Sequence, residues 1–200
     1  MIFYQYAILE RPVEGIVAPG VDAFPGNVDR NNPDFSLTNQ TFTFTAPGYE
    51  EYHHTGYYAV AGKPVTIEII GTVPSSYPWE ARGGVHYDDD SNQSSWSRGP
   101  TVYNKATLKS AVTTIYSPYG GLVVLISPSG TNATLQFKIS NVIEAPFYDS
   151  QNATSVSDWP RRKQALGTWG CAKGLYVGFC LPRTSFANVN DPTQVLDFYD

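Results

Sequence analysis

Apolar residues recur at every second position through much of this chain. "TFTFT" from Thr41 to Thr45 sets Phe42 and Phe44 on one face against threonines on the other. "PVTIEII" from Pro64 to Ile70 does the same with Val65, Ile67 and Ile69, and "TLQFKISNVI" from Thr134 to Ile143 with Leu135, Phe137 and Ile139. Successive side chains of a strand point to opposite faces of the sheet, so each run predicts a half-buried strand. Clusters of Gly, Pro, Ser and Asn separate the runs: "TAPG", "AGKP", "SPYGG" and "SPSG". Many short strands with frequent turn signals predict an all-β protein, a β-sandwich or barrel, with no long amphipathic helix interrupting it.

The end of the chain departs from this pattern. In "NDPTQVLDFYD", Asp191 fits an N-cap and Pro192 a first helical position, with Val195, Leu196, Phe198 and Tyr199 as an apolar face. That short helix reads as the beginning of a second, truncated domain, and the polypeptide is expected to continue past Asp200. The period of two fades between Asp149 and Trp169. The predicted organisation is an N-terminal extension over 1–23, a sandwich over 24–148, and a linker with the start of a further region over 149–200.

Gly120 and Gly121 raise a choice between a phosphate-cradling loop and a structural bend. They run into "LVVLIS", which is β-branched, short and closed by Pro128. A phosphate loop needs a helix N-terminus and a Lys there, so the glycines predict a tight bend or the close approach of another backbone.

Composition narrows the class. Charged residues make up 16% of the 200 and the net charge is −5. An acidic, weakly charged chain rich in Ser, Thr, Asn and Tyr excludes a nucleic-acid partner, which demands a basic face. The basic run Arg161, Arg162 and Lys163 reads as a solvated turn. No run is apolar for the ~20 residues a membrane span needs. "MIFYQYAILERP" lacks the basic start and small-residue cleavage site of a signal peptide. Four Asn-x-Ser/Thr sequons begin at Asn39, Asn92, Asn132 and Asn152 in polar, turn-like surroundings. With the low charge they predict a secreted protein whose leader lies outside this chain. Cys171 and Cys180 flank "AKGLYVGF"; a disulfide closing a hairpin and a pair of buried thiols both fit.

No catalytic constellation emerges. The histidines are His53, His54 and His86, and "YHHTGYY" lacks the second His four residues on that a His-Glu-x-x-His zinc helix requires. "HYDDD", with Asp88, Asp89 and Asp90, has no EF-hand spacing and reads as a solvated acidic turn. There is no Gly-x-Ser-x-Gly elbow. The aromatics Tyr52, Tyr57, Tyr58, Tyr77, Trp79, Tyr87, Trp96 and Tyr103 crowd the first half. Most are expected to fill a β core; Tyr87, Trp96 and Tyr103 are the candidates for stacking on a sugar ring.

The order of several segments resembles a known family. "HHTGYYAVAGKPVTIEI" (His53–Ile69) is similar to the "TGLYxPAGxxVTV" segment of the enhancin-type, mucin-targeting zinc metallopeptidases, the sixtieth metallopeptidase family. "GGVHYDDD", "RGPTV" (Arg98–Val102), "SPYGGLVVLISPSG", "APFY" (Ala145–Tyr148), Trp159 and "DPTQVLDFYD" follow in that family's order, and "FPGNV" (Phe24–Val28) precedes them. Gly56, Gly62, His86, Asp88, Gly120 and Gly121 fall on the motif positions.

The resemblance implies a jelly-roll or galactose-binding-like β-sandwich ahead of a zinc domain carrying His-Glu-x-x-His. It implies a glycoprotein or mucin substrate, and the downstream catalytic domain as partner. Zinc is expected in that downstream domain and none in this chain, which alone is expected to be inactive. Two other readings are a stand-alone carbohydrate-binding module and a non-enzymatic interaction protein similar to the vertebrate channel-associated factors.

Overall fold

The computed structural model describes residues 13–200. The segment read against a signal peptide, residues 1–12, lies outside the described residues. Eight strands form one large antiparallel sheet: β1 Thr38–Thr45, β2 Glu51–Ala59, β3 Pro64–Ile70, β4 Glu80–Gly84, β5 Tyr103–Thr107, β6 Val112–Tyr116, β7 Gly121–Ser127 and β8 Thr134–Glu144. Their order is β5-β4-β7-β2-β8-β3-β6, with β1 also paired to β8. The path folds over on itself into a nearly closed β-sandwich, as the alternation predicts.

β8 is the seam. Residues 134–142 pair with β1, 136–140 with β3 and 142–144 with β2. Inward alternation puts Phe137 and Ile139 into the core with Val65, Ile67 and Ile69 of β3 and Val123 and Leu125 of β7; Phe42, Phe44 and Leu135 pack against its side. At Asn141 the register slips, because this residue is the extra one opposite the Thr38/Asn39 step of β1 and adopts a left-handed φ of 65°. Asn tolerates that conformation better than most residues. The bulge lets Val142 face the first core and Ile143 a second one.

That second core lies between the sandwich and a three-stranded sheet of β9 Phe147–Asp149, β10 Trp169–Lys173 and β11 Gly178–Pro182. Val28, Tyr58, Leu122, Ile143, Trp169 and Cys171 meet there. On the far face of the small sheet, Tyr148, Trp159, Ala172, Phe186 and Leu196 form a third cluster beneath three helices: α1 Ala153–Arg162, α2 Arg183–Phe186 and α3 Thr193–Tyr199. Residues 13–23, read as an extension, attach to the sandwich: Gly15 N–H donates to the Gly62 carbonyl and Ala18 N–H to that of Pro118. Ala18 and Val21 are buried.

Three local readings change. The stretch read as linker contains α1, which starts because Asn152 Oδ1 accepts from the Thr154 and Ser155 amides at 3.0 and 3.2 Å. It ends in the supposedly solvated basic turn, yet Arg162 is drawn inward because its guanidinium satisfies the Ala145 and Gly56 carbonyls and the Glu144 carboxylate. The C-terminal helix begins at Thr193 rather than at Pro192, with Asp191 Oδ1 accepting from the Thr193 amide at 2.9 Å. Of its predicted apolar face only Leu196 is buried, while Val195, Phe198 and Tyr199 are exposed.

Candidate functional site

The motif glycines are scaffold. Gly121 has φ +130°, and a Cβ there would lie 2.3 Å from the Gly84 Cα, so β7 and β4 approach more closely than any side chain allows. Gly120, just before it, faces the Ala59 carbonyl, and Gly62 turns β2 into β3 while donating to the Ser117 carbonyl. Gly56, at φ +74°, bulges β2; a Cβ would meet Phe147 and the Arg162 guanidinium, and its carbonyl accepts from Arg162 and from the Ala145 amide. Of these glycines, Gly56 is the one that joins the sandwich to the C-terminal region.

The aromatic candidates divide. Tyr57, Tyr58 and Trp79 are core residues. Tyr87 and Tyr103 come together edge-to-face at 5.6 Å beside β4, with Tyr52 of β2 6.0 Å from Tyr87. Arg82 of β4 lies over all three rings, 5.3 Å from the centroids of Tyr52 and Tyr87 and 5.8 Å from Tyr103, and donates to the Tyr52 hydroxyl at 3.0 Å. Tyr52 is among the crowded aromatics of the sequence but not among its three stacking candidates, and Arg82, the centre of the cluster, is missed altogether. The usable signal was the period of two, which places Arg82 on the face opposite Ala81.

Trp96 stands apart from that cluster, in the loop that follows "HYDDD". Its indole N–H donates to the Asp90 carbonyl at 2.6 Å. Two hollows of about 380 and 350 Å³ share Phe24, Trp96, Ser97 and Arg98 in their walls. The aspartate run is tied down by Arg98, which pairs with Asp88 and, at 2.8 Å, with Asp90; against some desolvation, a hydrogen bond from its own backbone and then the Arg98 charge hold the Asp88 carboxyl below its ordinary range. Asp89 accepts from the Ser91 amide at 2.9 Å. His86 stacks on Phe24 at 5.5 Å and meets Trp169 edge-on at 5.3 Å. The aromatic candidates thus form two separate patches, the Tyr52–Tyr87–Tyr103 cluster around Arg82 and Trp96 above the Phe24 and Arg98 hollows. A separate groove of about 480 Å³ between β1 and α1 is lined by Thr38, Gln40, Glu144, Arg161 and Gln164.

The other two histidines are structural. His53 stacks on Trp79 at 5.1 Å and shares a 3.1 Å hydrogen bond with Ser127. His54 points its Nδ1 at the Cys171 and Cys180 sulfurs, 3.5 and 3.9 Å away. Burial first, and the Lys173 charge second, lower both imidazoles to about 4. Cys171 and Cys180 face each other across β10 and β11 and are joined as a disulfide. His53 has Glu51 at 3.8 Å, but no second histidine shares that pair and the sequence has no His-Glu-x-x-His, so the family's catalytic metal has no fit among the described residues. All four sequon asparagines are exposed, though Asn39 lies on strand β1 rather than in a turn, and Asn152 caps α1.

Known proteins place this architecture. A TRPM8 channel-associated factor homolog of Danio rerio is 27% identical over 193 residues, covering 92% of this chain and 20% of the relative. TRPM8 channel-associated factor 1 of Homo sapiens is 24% identical over 183 residues, covering 77% and 20%. The chain therefore spans about one fifth of these relatives. Among solved structures, the IMPa metallopeptidase from Pseudomonas aeruginosa superposes with a TM-score of 0.62 at 19% identity over 82% of this chain and 20% of its own. IMPa bound to an O-glycopeptide gives 0.61 at 18% identity, over 81% and 20%. The catalytic module of ZmpA from Clostridium perfringens gives 0.55 at 12%, over 79% and 38%. Residues 36–140, more than half of the chain, match the model for the N-terminal domain of M60-like peptidases, and the chain belongs to that family.

Proposed function

We propose that this chain is the non-catalytic front portion of a secreted zinc metallopeptidase that acts on O-glycosylated glycoproteins. It braces the downstream catalytic domain and lends its aromatic surface to the glycopeptide. Family membership is the observation that carries this reading. The solved relative captured with an O-glycopeptide supports the substrate class, and the exposed sequons and the disulfide support the compartment. The zinc and its His-Glu-x-x-His ligands belong to the downstream domain, where the metal would activate water for attack on a peptide carbonyl.

The test is to express this chain alone and joined to its natural downstream sequence, and to assay mucin cleavage with and without a chelator. Activity is expected only in the joined protein and only with metal. A joined protein with an intact zinc motif and no activity on any glycoprotein overturns the proposal. A second reading, a non-enzymatic interaction protein, is favoured by the channel-associated factors among the curated relatives. A decayed zinc motif downstream would favour it over the peptidase.

A further inference from the structure

The geometry points to a second, unassigned metal site: once the Cys171–Cys180 bond is reduced, His54 Nδ1 and the two sulfurs form a Cys2His set for a thiophilic d10 dication, Zn2+. The three ligand atoms lie within 4.8 Å of one another. Around a zinc ion with bonds of ~2.3 Å to sulfur and ~2.0 Å to nitrogen, tetrahedral ligands stand roughly 3.5 Å apart. The Nδ1 contacts of 3.5 and 3.9 Å already have that spacing. The sulfurs belong to facing positions of a strand pair whose Cα atoms are 4.1 Å apart, so both thiolates stay on the same side of the hairpin after the bond opens. Three protein ligands leave the fourth position to water.

The site spans two units of the fold. His54 belongs to β2 of the sandwich and the cysteines to β10 and β11 of the small sheet. In the oxidised chain the sulfurs are spent on each other and offer no thiolate. Cys171 is buried, while Cys180 is half-buried on β11, the outer strand of its sheet. That makes Cys180 the sulfur open to attack. An external dithiol, as its thiolate, bonds to the Cys180 sulfur and expels Cys171 as a thiolate. The reductant's second thiol then displaces Cys180 and leaves as a disulfide. The chain gains two electrons and, with protons from water, two thiols; binding of Zn2+ releases those two protons. The dithiolate–zinc set is neutral overall, which limits repulsion from the nearby Lys173 ammonium.

This site is distinct from the peptidase zinc and departs, in the reduced state only, from the expectation that the chain binds no zinc. It does not rest on the proposed function, since the probe is the metal alone.

The experiment titrates the 200-residue chain with Co2+ and then Zn2+, before and after treatment with a phosphine reductant, which supplies no competing thiol. The reduced chain is expected to take one Co2+ with thiolate-to-cobalt charge-transfer absorption. One Zn2+ should displace it and protect both cysteines from alkylation, and the oxidised chain should show neither effect. Cys180→Ser should abolish the band. His54→Gln should keep the band and weaken Zn2+ at least tenfold, the scale on which even outer-shell losses act. Should that variant misfold, zinc protection of the parent's cysteines still decides. Three results would each overturn the site: no cobalt band in a reduced chain that stays folded, unfolding on reduction that zinc does not reverse, or unchanged zinc affinity in a folded His54→Gln chain.

Discussion

Gly121 and the paired histidines show how single residues set limits on this fold. Replacing Gly121 with Ala would push a methyl group into the backbone of Gly84 and force a β-carbon onto a left-handed φ. We expect Gly121→Ala to cost at least about 2 kcal/mol, the range of clashes and special backbone conformations, read from urea denaturation. His53 and His54 carry a different liability. Their folded-state values of about 4 lie below the ordinary 6.5 of an unfolded histidine. Between those limits the unfolded chain binds more protons than the folded one. Stability of the oxidised, metal-free chain is therefore full above about pH 6.5 and falls as pH drops toward 4. The slope is at most about 1.4 kcal/mol per pH unit for each histidine. Denaturation midpoints measured across that window check it; a flat profile would show that the rings are solvated.

At the scale of elements, legibility in the sequence follows exposure. Strands β1, β3 and β8 show their alternation because one face meets the core and the other meets solvent or a thin cover. The inner half of β2, from Thr55 to Ala59, is buried throughout, with the sandwich core on one face and the second core on the other. No period survives there. Helix α1 was hidden for another reason: Pro160 lies inside it and only Trp159 is buried. Its place depends on polar contacts rather than an apolar stripe, and such contacts join residues 17 to 106 positions apart. Arg162 reaches three different residues. Arg162→Ala should destabilise by roughly 2–3 kcal/mol, because it removes the guanidinium from the Ala145 carbonyl and takes one of two partners from the Gly56 carbonyl and the Glu144 carboxylate. Arg162→Lys should recover only part of this, since one ammonium cannot reproduce the planar fork. Thermal unfolding of both variants decides.

Across the whole molecule, the candidate surface was half legible. Tyr87 and Tyr103 are both among the candidates the sequence offers, but that they meet edge-to-face beside Arg82 follows from the pairing of β4 with β5, which no local pattern reveals. Trp96 sits on a different part of the surface, over the Phe24 and Arg98 hollows. If the surface receives sugar rings, Trp96→Ala should weaken mucin-type glycan binding by about tenfold, equivalent to ~1.4 kcal/mol, with the fold intact. Calorimetry with O-linked disaccharides reads this directly, and equal binding by parent and variant would remove Trp96 from the surface.

The threefold partnership of β8 also bears on how such a chain is made. Three strands emerge from synthesis well before their common neighbour, and β3, β1 and β2 can complete their pairing with it only once residues 140, 142 and 144, respectively, are available. A nascent chain arrested before Thr134 would hold exposed, apolar edges with nothing to zip against. Early translational stops in this region should therefore yield aggregates for quality control to clear, rather than smaller folded domains.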